Sequence, residues 1–304
     1  MTGDLVEGRG MAEQSVGGGG GVRLLGVLVM VFAALAISLS LLFSPFVFEA
    51  GMAPLALLVL RSAVFVVFLF LVTRLSGHRL GLPGPKRLTA FGVGVVYILG
   101  AGGYLWSVFY LPVSLAVLIF YIYPILTLIL ASLLDRHAPR LPDLALLLVA
   151  FGGLALALGV SVEQLDLRGV ALVVAGAFSI ATSFVWMARK LSDEDSMAVT
   201  FHMAISGALL ALVAALAAGA FSLPAFDGRA WWALAGVLVF FCAGFFSIFR
   251  GIALIGSVRA ATIMNLEPVA TLALAPLILG EHLSPRQWIG AAIVIFAVVL
   301  SQRR

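Results

Sequence analysis

Charge is scarce in this sequence. Asp, Glu, Lys and Arg make up 11% of its 304 residues, against roughly a quarter in soluble domains. A fold so poor in charge has mainly apolar groups to present at its surface, which excludes an ordinary water-soluble protein. Cysteine occurs once, as Cys242, so an intrachain disulfide is excluded and the thiol is left to packing. No His-Glu-x-x-His zinc motif is present, the aspartates fall at helix ends or in loops, and Ala204-Ile-Ser206-Gly207 is a poor nucleophile elbow. No catalytic residue, metal or cofactor is therefore assigned. A pump driven by ATP would need a nucleotide site, and none is encoded.

What the chain has instead is hydrocarbon: 63% of residues are hydrophobic, and the mean hydropathy is +1.19. Crossing about 30 Å of hydrocarbon takes about twenty apolar residues. Runs of that length recur near Leu24 to Phe43, Pro54 to Thr73, Leu88 to Phe109, Ser114 to Leu134 and Asp143 to Val160. A second set lies near Gly169 to Ala188, Ala198 to Ala218, Trp231 to Ile252, Arg259 to Leu279 and Trp288 to Ser301. The expectation is an all-α integral membrane protein of ten transmembrane helices. Its weakest breaks are Leu111-Pro112 and Leu254 to Val258, where little polar sequence marks a turn. The first apolar run is too long for a signal-peptide core and reads as a retained span.

Orientation follows from Lys and Arg in the connections. With the N-terminus inside, most of the 18 basic residues collect on the cytoplasmic side, among them Arg74, Arg79, Lys86, Arg87, Arg136, Arg140, Arg189 and Lys190. Arg168, Arg229 and Arg286 fall outside, and Arg61 lies within a span. Both termini are expected in the cytoplasm, with the protein in the cell's inner (plasma) membrane. This bias accounts for the net charge of +4, so nucleic acid is not a partner. Residues 1–22, with Gly17 to Gly21, read as a flexible cytoplasmic lead, and Met11 is a second candidate start.

The chain also repeats itself, with a first copy over 23–160 and a second over 161–304. Leu111 to Pro124 can be laid on Ile255 to Pro268, matching Ala116 with Ala260 and Pro124 with Pro268. Five helices per copy send the second copy into the membrane from the opposite face. Inverted repeats with helices interrupted in corresponding places point to a site at the midplane between them.

Glu267, beside Pro268 in the apolar stretch Ala260 to Leu279, is a carboxylate at membrane depth, which is costly and hence a functional candidate. It serves transport or satisfies backbone freed by Pro268. Arg61 either snorkels to the outer interface or pairs within the bundle. Aromatics concentrate between Tyr97 and Tyr123. Tyr97 and Tyr104 share a helical face, with Trp106, Tyr121 and Tyr123 close in sequence. They form interfacial packing or a wall that stacks flat or cationic cargo. Ser179, Thr182, Ser183 and Trp186 share another face that lines the cavity or bonds a neighbouring helix. His202 and Glu281 read as structural, and Gly92, Gly94, Gly102 and Gly103 as close helix packing.

The stretch Ala260 to Val294, with Glu267-Pro268, then Gly280-Glu281 and Ser284, then Gly290, resembles the C-terminal signature of the EamA family in the drug/metabolite transporter superfamily. Leu60-Arg61, Leu111 to Ala116 and Tyr123-Pro124 are similar to the family's first repeat. Asp135 stands near the place where that repeat carries Gly-Glu. The resemblance implies ten helices in two inverted five-helix repeats, a central cavity and alternating access for small metabolites, commonly export. Cargo is expected near Glu267, Arg61, Asn265, Tyr104, Trp106, Tyr121 and Tyr123, with Pro124 and Pro268 as helix breaks or gates. The expected partners are a small amino-acid-like or amphipathic aromatic substrate and the lipid bilayer; a coupling proton and a second copy of the chain stay open. A channel or a structural membrane protein is the alternative, and a membrane enzyme the weaker one.

Overall fold

The computed structural model describes residues 4–77, 79–159, 165–220, 224–280 and 283–303, with side chains from residue 21 onward. Within them the chain forms α1 (Asp4–Glu49), α2 (Pro54–Leu75), α3 (Gly84–Ser107), α4 (Val113–Phe120), α5 (Tyr123–Leu134) and α6 (Leu141–Leu158). The second half forms α7 (Leu167–Lys190), α8 (Ser196–Ala217), α9 (Gly228–Ile255), α10 (Ser257–Ile263), α11 (Leu266–Ile278) and α12 (Pro285–Gln302). Taking α4 with α5 and α10 with α11 as single crossings, ten helical stretches are long and apolar enough to span a membrane. They match the expected spans to within a few residues, except that the first runs over Gly21–Glu49 and passes through Pro45. Leu75, Leu167, Trp232 and Leu277 are each more than four-fifths exposed. Such surface suits lipid and not water.

A flexible lead was expected over residues 1–22, yet α1 already begins at Asp4. A helix nucleated by the span extends without paying a second nucleation cost. The boundary expected between residues 160 and 161 falls in 160–164, outside the described residues, and so does Glu281.

Helix starts follow local chemistry. Asp166, Asp195 and Asp227 cap α7, α8 and α9 by accepting from the backbone N–H groups of Arg168, Met197 and Ala230. Ser284 and Gln287 close a capping box at α12. In the first half, proline in the opening turn of α2, α3, α5 and α6 fills positions whose N–H has no helical partner.

The packing pairs elements across the two halves. α1 lies along α9 as α3 lies along α7, α1 meets α11 as α7 meets α5, and α6 packs on α12. Each half has five crossings, so the second starts on the face where the first ends, and both termini lie on one face, here called the terminal face. Close approach depends on glycine between α3 and α7. A Cβ on Gly103 would stand 2.8 Å from the Leu172 carbonyl oxygen, whereas Gly102 on the same helix has open space. Of the four glycines expected to pack closely, Gly94 and Gly103 do so, and Gly92 and Gly102 face nothing within 4 Å. The break near Leu254 to Val258 narrows to Gly256, whose φ of 79° lies in the left-handed region that a side chain disfavours.

Candidate functional site

Two helix interruptions meet at mid-span. Pro124 and Pro268 lack an N–H, so Phe120 and Met264 lose the donors four residues on that would continue the helix. The chain answers one turn before each proline: α4 stops at Phe120 and α5 restarts at Tyr123, while α10 stops at Ile263 and α11 restarts at Leu266. At the second break the Met264 carbonyl accepts instead from the Glu267 N–H at 3.0 Å, a tighter bond of the 3₁₀ kind. The Glu267 carbonyl in turn accepts from the hydroxyls of Ser38 at 2.8 Å and Thr271 at 3.0 Å, which pins this turn against α1.

A cavity of about 440 Å³ lies between the interruptions. Glu267, Pro268 and Met264 line it from one break, Tyr121 and Tyr123 from the other. Arg61 enters from α2, Tyr97 and Tyr104 from α3, Phe184 from α7, and Phe241 and Phe245 from α9. The lining continues past Leu41, Leu42, Leu158 and Leu279, at the ends of helices away from the terminal face, so the cavity extends toward that opposite face. Toward the terminal face the bundle is filled by Met30, Met187, Ile252 and Ile263, all buried in one core.

The walls are aromatic. Tyr104 meets Phe120 with ring centroids 5.1 Å apart, Tyr121 meets Tyr123 at 5.7 Å, and Tyr123 meets Phe184 at 5.8 Å. Across from them Tyr97 packs edge-on to Phe245 at 5.7 Å, and Phe241 stacks on Phe245 at 4.2 Å. Two opposite charges face this space. The Arg61 guanidinium lies over the Phe241 ring, 4.7 Å from its centroid, and its Nε is buried without a hydrogen-bond partner. The Tyr121 hydroxyl is a polar side-chain neighbour that interacts with the Glu267 carboxyl. Arg61 does not snorkel out, and among the described residues it pairs with no acid: it is held inside by an aromatic face, an attraction that strengthens away from water. A smaller pocket of about 80 Å³ shares Arg61, Tyr97, Phe241 and Phe245 and continues toward Met203 and Gly207 on α8.

Of the residues singled out in the sequence, Glu267, Arg61, Tyr104, Tyr121, Tyr123 and Pro268 are brought together in the cavity. Pro124 is buried behind its break. Asn265 does not line the space; it is 3% exposed, and its amide donates to the Thr262 carbonyl at 2.9 Å. Asn265 therefore satisfies backbone at the interruption. Trp106 is 44% exposed, rests on Phe109 and lines an outer groove between α2, α3, α7 and α8. The hydroxyls of Ser179, Thr182 and Ser183 bond back to carbonyls of their own helix, so that stripe neither lines the cavity nor bonds a neighbour. His202 is buried between Phe91 and Phe201 with Nδ1 2.8 Å from the Ala198 carbonyl oxygen. Phe241 and Phe245 escaped sequence reasoning because a phenylalanine in an apolar span gives the same signal toward lipid as toward a cavity. Among the described residues no cluster of three or more His, Cys, Asp and Glu could hold a metal ion.

At the terminal face, the Lys86 ammonium reaches Asp193 at 2.7 Å and the Lys190 carbonyl at 2.9 Å, tying the start of α3 to the end of α7 and the loop that follows it. This hydrogen bond holds the Asp193 carboxyl below its ordinary range. At the terminal ends of α5 and α7, Arg189 pairs with Asp135 at 2.5 Å and donates to the Ala131 carbonyl at 3.0 Å.

No curated protein matches this chain. Among 29 solved chains that do, one described only as "Crystal structure of protein" shares 18% identity and superposes with a TM-score of 0.76, covering 92% of this chain and 99% of that one. At that identity the likeness speaks for the fold alone. The model of the EamA-like transporter family matches residues 24–159 and again 167–302, one match for each five-span copy. Matched across both halves, the chain is a member of the EamA-like transporter family.

Proposed function

We propose that the protein is a secondary transporter that exports small amino-acid-like or amphipathic aromatic metabolites across the inner (plasma) membrane by alternating access between two inverted repeats. The observation that carries this reading is the cavity itself. It sits where the two interrupted crossings meet, holds one cation and one anion between aromatic walls, and is filled below by packed side chains. A carrier needs a site reached from one side at a time, and this arrangement presents the side away from the termini. Retention of Lys and Arg on the terminal face supports cytoplasmic termini, and hence an outward-facing state. A channel fits less well, because Met30, Met187, Ile252 and Ile263 pack as buried core on the terminal side of the cavity.

Counterflow in proteoliposomes tests the proposal: vesicles loaded with unlabelled aromatic amino acid should transiently accumulate the labelled compound and saturate with its concentration. Linear, unsaturable flux would favour a channel. Orientation is tested by cysteines placed at Ser76 and Gln302 in a Cys242→Ala background, which should resist impermeant thiol reagents in whole cells.

A further inference from the structure

A second chamber, of about 510 Å³, opens on the terminal face, beyond the packed core that underlies the central cavity. Its walls come from both halves: Asp135 just past the end of α5 and Arg140 and Asp143 at the start of α6, then Arg189 on α7, Arg259 on α10 and Gln302 on α12. Arg189 and Asp135 neutralise each other. The remaining charge is unbalanced. Among the described residues Arg140 and Arg259 form no ion pair, and Arg23 beside them makes its contact with a neutral group, the Gln302 carbonyl. The electrostatic neighbours of Arg259 are Arg23, Arg140 and a single acid, Asp143.

Like charges converging in a recess cost energy unless an anion joins them, and arginine presents its donors in the fork that suits phosphate oxygens. We infer that this chamber is an anion site, built for a phosphate group held by Arg140 and Arg259 in its wall, with the charge of Arg23 close by. That chemistry belongs both to the glycerol phosphodiester headgroup of an anionic lipid and to free protonated phosphate. Basic recesses between helices on the cytoplasmic side collect such headgroups. The ligand would bridge the two repeats on their closed side, and the site stands whether or not the central cavity carries cargo.

The buried thiol of Cys242 gives the readout, since a thiol-reactive dye reports its exposure on melting. Full-length protein, stripped of lipid in a neutral maltoside, is titrated with inorganic phosphate against chloride at equal ionic strength. In a second arm it is titrated with phosphatidylglycerol against phosphatidylcholine in mixed micelles. The wild-type midpoint should rise with phosphate, with phosphatidylglycerol or with both; the responding arm identifies the source. Arg140→Gln with Arg259→Gln should weaken the apparent affinity by about tenfold or more, as expected for two lost charge-assisted contacts. Arg87→Gln, in the opening turn of α3 and away from the chamber, should leave the titration unchanged. Because both chamber substitutions relieve repulsion, the ligand-free midpoint should hold or rise. A lower ligand-free midpoint, equal titrations in wild type and the double variant, or no response of wild type to either probe would overturn the inference.

Discussion

Arg61 and Glu267 face one cavity without joining in an ion pair. The guanidinium rests on Phe241 at 4.7 Å, and the carboxyl interacts with the Tyr121 hydroxyl. Opposite charges in a poorly solvated space attract strongly, so holding them apart sacrifices interaction energy within the bare protein. That sacrifice has a use if cargo supplies the missing partners. A zwitterionic or amphipathic molecule could satisfy both ends while its apolar body meets the aromatic walls.

Replacing Arg61 by Met tests this separation. A buried charge with no counter-ion is a net cost, and similar-sized apolar replacements of buried ionic groups are often neutral or stabilising. The Met variant should therefore melt at or above the wild-type midpoint while losing about tenfold or more in counterflow. A drop of several degrees would mean that Arg61 is needed for the fold.

Glycine at the α3–α7 contact offers a contrast on one helix. Gly103→Ala pushes a methyl to 2.8 Å from the Leu172 carbonyl oxygen, and overpacking of this kind costs about 1–3 kcal/mol. Gly102→Ala meets nothing within 4 Å and gains helix propensity. In thermal melts the first substitution should lower the midpoint and the second leave it unchanged or raised. Equal midpoints would show that the two helices can part without cost.

Much of this architecture was legible because the bilayer leaves few choices. Stretches of about twenty apolar residues can only be helices, and Pro124 and Pro268 mark their own interruptions by what they lack. Glu267 and Arg61 stood out because charge in an apolar run needs a reason. Facing was harder to read. Asn265 is as polar as Glu267 and two residues away, but it turns back to Thr262. Trp106 follows Tyr104 by two positions, about 200° around the helix, and points to an outer groove instead. Periodicity could not decide these cases, because spans that touch lipid on one side and protein on the other are apolar all round. The terminal chamber was illegible for a further reason: Arg23, Arg140 and Arg259 are far apart in sequence and meet only through packing.

The tie between Lys86 and Asp193 sets a pH dependence. Hydrogen bonding to the ammonium depresses the Asp193 carboxyl, so the folded state binds its proton less readily than the unfolded chain does. The resulting stabilisation is present above the unfolded value of about 4 and disappears as pH falls through the lower folded value. Asp193 is 66% exposed in its side chain, so the effect is small and screened by salt. Melts of wild type and Asp193→Asn should differ slightly near pH 7 at low salt and converge in acid. A gap that widened on acidification would contradict this assignment.

Glu267 is the residue at which proton coupling can be tested. Its carboxyl lines a cavity that extends toward the face away from the termini, the side from which a coupling proton would have to arrive in this state. It also sits in the first turn of α11, next to the break that must move if the cavity is to reach the terminal side. A proton bound there could therefore be carried between faces by the same motion that carries cargo. Glu267→Gln keeps the shape and removes the titration. If the carboxyl is the proton carrier, this variant should lose accumulation driven by a pH gradient yet retain exchange of labelled for unlabelled cargo. If the carboxylate binds cargo directly, or only supports the turn at Pro268, both activities should fall together by about tenfold or more, as expected for the loss of a charged hydrogen bond. Gradient-driven accumulation that survives intact in the Gln variant would remove Glu267 from coupling and leave facilitated exchange, or a different titrating residue, as the mechanism.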